Sequence, residues 1–235
     1  MRSSSSVWKS ESLSMERWQS NLIKLIAITS MLADHIGVVF FPHDLIWRIA
    51  GRIAFPLFAY QLGVGYKHTS DRKKYALRLL LFALLSQIPY YFIWREWIPN
   101  IFFALLLGLG AISLYDGKKY GWLMLYLLAS LAIEFVLPYD GGVYGVAMIL
   151  MLYAPPTLAW QAAVVASITI IYSFSGSESY IQMFCLLALP VLWWIRHLHL
   201  PLQVEAGLSR INKWVFYAFY PLHLSALWAL KALLT

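Results

Sequence analysis

Apolar runs recur along the chain at close intervals, separated by short clusters of charged and turn-forming residues. Their lengths and spacing predict helices over 21–41, 45–66, 76–94, 99–115, 120–137, 143–154, 157–173, 180–195 and 214–234. The sixth and seventh are short and meet at Pro155-Pro156, so they read as two spans or as one re-entrant pair. No long linker, composition shift or internal repeat divides residues 21–235, which therefore read as one domain.

Composition decides what solvent these helices need. Of 235 residues 61% are apolar and 12% charged, and the mean hydropathy is +0.66. A soluble domain carries roughly a quarter charged residues, so a soluble globule is excluded. The expected fold class is all-α, a polytopic transmembrane helical bundle of about nine to ten membrane helices. The single cysteine, Cys185, rules out an internal disulfide. Residues 1–20 are Ser-rich and mixed in charge, with Trp8 and Trp18, and no short apolar stretch precedes a small-residue cleavage site. They read as a tail at the lipid headgroups and not as a signal peptide.

The net charge of +7 reports orientation rather than nucleic-acid binding. With the N-terminus inside, Arg2, Lys9, Arg17, Lys67, Arg72, Lys73, Lys74, Lys118, Lys119, Arg196, Arg210 and Lys213 fall on the cytoplasmic side. Only Arg95 and Lys231 fall outside, while Lys24, Arg48, Arg52 and Arg78 lie within expected spans.

Ionisable groups inside a span face protein or a wet cavity and are functional candidates. In NLIKLIAITSMLADHIGVVFF, Asp34 and His35 lie ~20 Å beyond the cytoplasmic start at 1.5 Å per residue, in the outer half of the bilayer. The second helix starts at that level, with Arg48 and Arg52 one turn apart on one face. Sequence neighbours on a helix diverge by about 100°, so Asp34 does not orient the His35 ring. The simplest arrangement pairs Asp34 with Arg52 and leaves His35 as a base. The plainer alternative is an interhelical ion pair with a hydrogen-bonded histidine. In the last helix Tyr217, Tyr220 and His223 share a face, and Pro221 interrupts the hydrogen-bond ladder. Asn100 and Asp140 fall at the same outer level and are candidates to close the cavity.

There is no Gly-rich phosphate loop, GxSxG elbow or His pair at metal-ligand spacing, so no metal is expected. The run Lys67-His68-Thr69-Ser70-Asp71-Arg72-Lys73-Lys74 reads as a positive-inside anchor, or as an attractor for a polyanion such as coenzyme A.

The segments IKLIAITSMLADHIG, RIAGRIAFPLFAY, RLLLFALLSQIPYY, YGVAMILMLY and FYAFYPLHLSAL together resemble the TraX family of bacterial membrane acetyltransferases. Its named member acetylates the N-terminus of F-type pilin, and the resemblance covers residues 20–235. More distantly, the family is similar to polytopic acyltransferases that move acetyl groups from cytosolic acetyl-CoA across the membrane using a first-helix histidine. The resemblance implies a bacterial cytoplasmic membrane and acetyl-CoA as acyl donor. It implies His35 as catalytic base or acetyl carrier, Asp34 shaping the site, and His223 as a second acid, base or acceptor-binding group. Arg52, with Arg48 and the loop lysines Lys67, Lys73 and Lys74, would hold the donor. Asn100, Tyr217, Tyr220 and Asp140 would line the acceptor side, where an amine or a hydroxyl is expected, as in a peptide N-terminus or a glycan. The expected partners are the lipid bilayer, the donor and the acceptor, and no nucleic acid. The competing reading is a proton-coupled small-molecule transporter using Asp34, His35 and His223 as a relay.

Overall fold

A computed structural model describes Leu13, residues 15–174 and residues 179–234, and every regular element among them is helical. In chain order these are α1 (Arg17–Phe40), α2 (Leu45–Gly51), α3 (Ala54–His68), α4 (Arg72–Trp94), α5 (Ile101–Asp116) and α6 (Tyr120–Val136). They continue as α7 (Gly142–Tyr153), α8 (Leu158–Ser173), a 3₁₀ segment (Ser179–Leu187), α9 (Ala188–His197), α10 (Leu202–Ser209) and α11 (Lys213–Leu234). The expected interfacial tail lies outside the described residues over 1–12. At its far end Trp18 is already in α1 and buried.

Side-chain caps explain several starts. Asp44, Asp71, Asn100 and Thr157 each accept a hydrogen bond from a backbone N–H in the first turn of α2, α4, α5 and α8. Prolines explain where the expected helices break. The single helix expected over 45–66 is divided, and the chain turns between α2 and α3 because Pro56 has no N–H for the Arg52 carbonyl. Similarly, Pro190 cannot donate to Leu186, and the expected 180–195 helix is 3₁₀ as far as Leu187 before becoming α. The short α10, which follows Pro201, has no counterpart in the hydropathy pattern.

At the centre of the bundle, α1 packs against α2, α3, α10 and α11, while α4 packs on α11 and α5. Close approach of α1 and α2 requires small residues. A Cβ on Gly37 would collide with that of Trp47, and one on Gly51 would collide with the Asp34 side chain. The main core runs through Ile23, Ala27, Leu57, Tyr60, Ile112, Ile149, Leu152 and Leu224.

Among the described residues two helices, α1 and α4, are long and apolar enough to cross a membrane, while α5 to α8 are apolar but shorter. Nine or ten full spans are thus not what the helix lengths provide. The outward surface nonetheless carries many large apolar side chains, which is consistent with a membrane protein. In α6 only Leu123 and Ser130 are buried, and Trp122, Met124, Leu128, Phe135 and Val136 are exposed.

Candidate functional site

A cavity of about 850 Å³ lies among α1, α3, α4, α11 and the loop before α7, within the size range of small-molecule sites. Its wall includes Asp34, His35, Arg52, Asp140, Tyr217 and Tyr220 among the residues singled out from sequence.

His35 is buried, with its Nδ1 2.7 Å from Nε2 of His223. The Nδ1 of His223 lies in turn 2.7 Å from the Phe219 carbonyl oxygen, one turn back on α11. A carbonyl only accepts, so His223 Nδ1 carries the proton and, in the neutral ring, Nε2 is an acceptor. His35 Nδ1–H therefore donates to His223, and the lone pair of His35 is left on Nε2. The two rings are parallel, and Trp94 meets His35 edge-on at 5.2 Å between centroids. Sequence spacing does not reveal this pairing, since 188 positions separate the two histidines.

Asp34 projects elsewhere, as its one-residue offset requires. One carboxylate oxygen accepts from Arg48 Nη1 at 2.8 Å and the other from Arg52 Nη2 at 3.2 Å. Asp34 thus binds both arginines, not Arg52 alone. Arg52 also donates through Nη1 to Gln182 and through Nε to the Arg48 carbonyl. Of its five N–H groups these bonds use three, so Arg52 is held firmly while still facing the cavity. Arg48 serves Asp34 and is not on the cavity wall.

Tyr220, one turn before His223, is buried, and its hydroxyl has no hydrogen-bond partner. Beside it, the Tyr139-Asp140-Gly141-Gly142 loop brings in a carboxylate. The loop bends through positive φ at Gly141 and Gly142 (85° and 52°), a conformation that glycine adopts without strain. Burial pushes the Asp140 carboxyl up to about 6, against the pull of Arg52.

The other expected residues are placed differently. Asn100 caps α5, accepting from Phe102 N–H and donating to the Ala83 carbonyl and to Gln87. It is buried away from the cavity, so its role is to tie α4 to α5. Lys67, Lys73 and Lys74 are not on the cavity wall either: Lys67 lies over the Tyr153 ring, and exposed Lys74 pairs with Asp71. The cations that do line it are Arg17, Lys24, Arg52, Arg78 and Lys213, with His68. Gln182 and Glu134 also line it; Glu134 caps α7 by accepting from Val143 N–H. Glu134, an ionisable group inside the span expected over 120–137, is open to the same reading as Asp34, whereas Gln182 carries no such signal. Among the described residues, no group of three or more His, Cys, Asp or Glu side chains is placed to hold a metal ion.

The family model described as TraX protein matches residues 19–231. A probable fimbrial assembly protein FimC, serogroup H1, of Dichelobacter nodosus is 28% identical over 244 residues, which cover 90% of this chain and 95% of that protein. Protein TraX of Escherichia coli strain K12 is 31% identical over 147 residues, 62% of this chain and 58% of its own length. An uncharacterized protein, RP591, of Rickettsia prowazekii strain Madrid E is 28% identical over 171 residues, 72% of this chain and 61% of its own length. No solved structure matches.

Proposed function

This chain belongs to the TraX family, and from that membership and the histidine pair we propose that it is an integral-membrane acyltransferase. It moves an acetyl group from cytosolic acetyl-CoA to an amine or hydroxyl acceptor. The acceptor is a peptide N-terminus or a glycan, and the name of the Dichelobacter relative favours a fimbrial subunit. The chain is multi-pass in the bacterial cytoplasmic membrane with its N-terminus inside, an orientation favoured by the Lys and Arg bias of its loops.

The observation that carries the reading is the hydrogen-bonded series from the Phe219 carbonyl through His223 to His35, which leaves a basic Nε2 on a ring that lines the cavity. His35 Nε2 removes the proton of the acceptor as its nitrogen or oxygen attacks the thioester carbonyl. Alternatively, it takes the acetyl group first and passes it on. In either route the C–S bond breaks after a tetrahedral oxyanion forms, and the leaving thiolate takes up a proton. As His35 becomes cationic, His223 Nε2 accepts its Nδ1–H and spreads the charge, the part an orienting group plays beside a catalytic base. The unpartnered Tyr220 hydroxyl and the remaining N–H groups of Arg52 are the donors for the oxyanion.

Purified protein in nanodiscs, given radiolabelled acetyl-CoA, tests this. Label transfer to a pilin-like peptide or glycan, or slow hydrolysis, that His35→Ala removes is the expected result. A folded wild type that neither binds nor turns over acetyl-CoA overturns the reading, and pH-driven solute flux would then favour the transporter.

A further inference from the structure

We propose that the end of the large cavity remote from His35 is a phosphate-binding site built by Lys24, Arg78 and Lys213. All three line the cavity, and α11 draws them together. The Lys24 ammonium lies 5.4 Å from the centre of the Phe216 ring. Arg78, beside Tyr217, lies over the Tyr75 ring with its guanidinium carbon 5.5 Å from the ring centre. Lys213 sits one turn before Phe216 and Tyr217 at the start of α11.

The cavity wall carries the carboxylates Asp34, Glu134 and Asp140 and the cations Arg17, Lys24, Arg52, Arg78 and Lys213; Arg52 pairs with Asp34 beside His35. Lys24 and Arg17 repel each other. None of the three proposed ligand residues joins an ion pair among the described residues. Moreover, the Nε of Arg78 is buried without a hydrogen-bond partner. Lys24 and Arg78 are partly buried, and a cation drawn from water is costly unless a counter-charge arrives. A single carboxylate would neutralise one of them, whereas a phosphate or pyrophosphate group offers several charges and enough acceptor oxygens for an ammonium pair and a guanidinium. On α1, Lys24 precedes His35 by eleven residues, about 16 Å along the axis. A ligand anchored here by its phosphates therefore reaches the histidine only through an extended arm.

The phosphate has two possible sources, the nucleotide portion of a soluble donor or the headgroup of an anionic phospholipid. The donor assignment rests on the transferase reading; the site itself does not. It is tested with purified full-length chain in phosphatidylcholine nanodiscs, titrated calorimetrically with adenosine 3′,5′-bisphosphate, which has phosphates but no thioester. A parallel arm quantifies phosphatidylglycerol that remains bound through purification. Saturable bisphosphate binding, weakened about tenfold or more by Lys24→Gln and by Arg78→Gln, supports the site with a soluble donor. Loss of phosphatidylglycerol in the same variants supports it with a lipid headgroup. Arg78 is partly buried, so Lys213→Gln, in the exposed first turn of α11, serves as the variant least able to disturb folding. Variants with wild-type unfolding temperatures that behave as wild type in both arms overturn the proposal. If bisphosphate binding depends on these cations but no acetyl transfer is found, the site stands and the transferase reading falls. If transfer is found and binding is unaltered in the variants, the transferase reading stands and the site falls.

Discussion

His35 and His223, at opposite ends of the chain, meet through a 2.7 Å bond between Nδ1 of the first and Nε2 of the second. The Phe219 carbonyl sets the tautomer of His223 and thereby that of His35. Removing the base should cost roughly 10²- to 10⁴-fold in acetyl transfer. His223→Ala leaves His35 present but free to present the wrong nitrogen, so kcat should fall on the order of 100-fold with KM little changed. Steady-state kinetics of both variants check this, and a His223→Ala enzyme with wild-type kcat would disprove the orienting role.

Tyr220→Phe removes a buried hydroxyl that makes no hydrogen bond in the folded protein. Stability should therefore be unchanged or slightly raised, because an unsatisfied polar group is deleted. If the hydroxyl donates to the oxyanion, kcat should fall by roughly 10²-fold. Thermal unfolding and turnover measured on one preparation separate the two effects.

Asp34→Asn strips the charge that two guanidinium groups share. Because the Arg48 side chain keeps 34% of its surface exposed, the loss should be about 2 kcal/mol, below that of a fully buried pair. Arg52→Ala should be more damaging than Arg48→Ala, since Arg52 also holds Gln182 and faces the cavity. Unfolding midpoints in detergent for the three variants rank them directly.

Gly51→Ala should disturb the same carboxylate sterically. A Cβ there would collide with the Asp34 side chain, so either α2 or the carboxylate must shift. We expect a loss of activity and stability comparable to Asp34→Asn, and a Gly51→Ala, Asp34→Asn double variant that loses less than the sum. Turnover and unfolding midpoints of the two single variants and the double variant check this.

Asp140 gives stability a distinct pH dependence. Its carboxyl is raised from 3.8 to about 6, so between those values the folded state holds more protons than the unfolded one. The contribution of the protonated carboxyl is complete below 3.8 and is lost as pH rises through about 6. Wild type should accordingly lose stability relative to Asp140→Asn across that window, as measured by unfolding at fixed ionic strength. A difference that stays constant with pH would show that Asp140 titrates normally.

The apolar runs were enough, without coordinates, to specify an all-helical chain, because helix length and hydrophobic pattern are local properties of the sequence. The positions of Asp34, His35, Arg52 and His223 within apolar runs likewise marked them as candidates, since charge in hydrocarbon needs a reason. Other locally readable signals are placed differently: the Lys67, Lys73 and Lys74 side chains lie off the cavity wall while His68 of the same loop lines it, and Asn100 spends its polar atoms on capping α5 and tying it to α4. Tertiary structure alone decided that Asp34 takes both arginines, that His35 finds His223, and that Lys24, Arg78 and Lys213 line one cavity. Each of these depends on which helices are neighbours and how each is rotated about its axis. Packing of the whole bundle sets those two quantities, and no stretch of sequence carries them by itself.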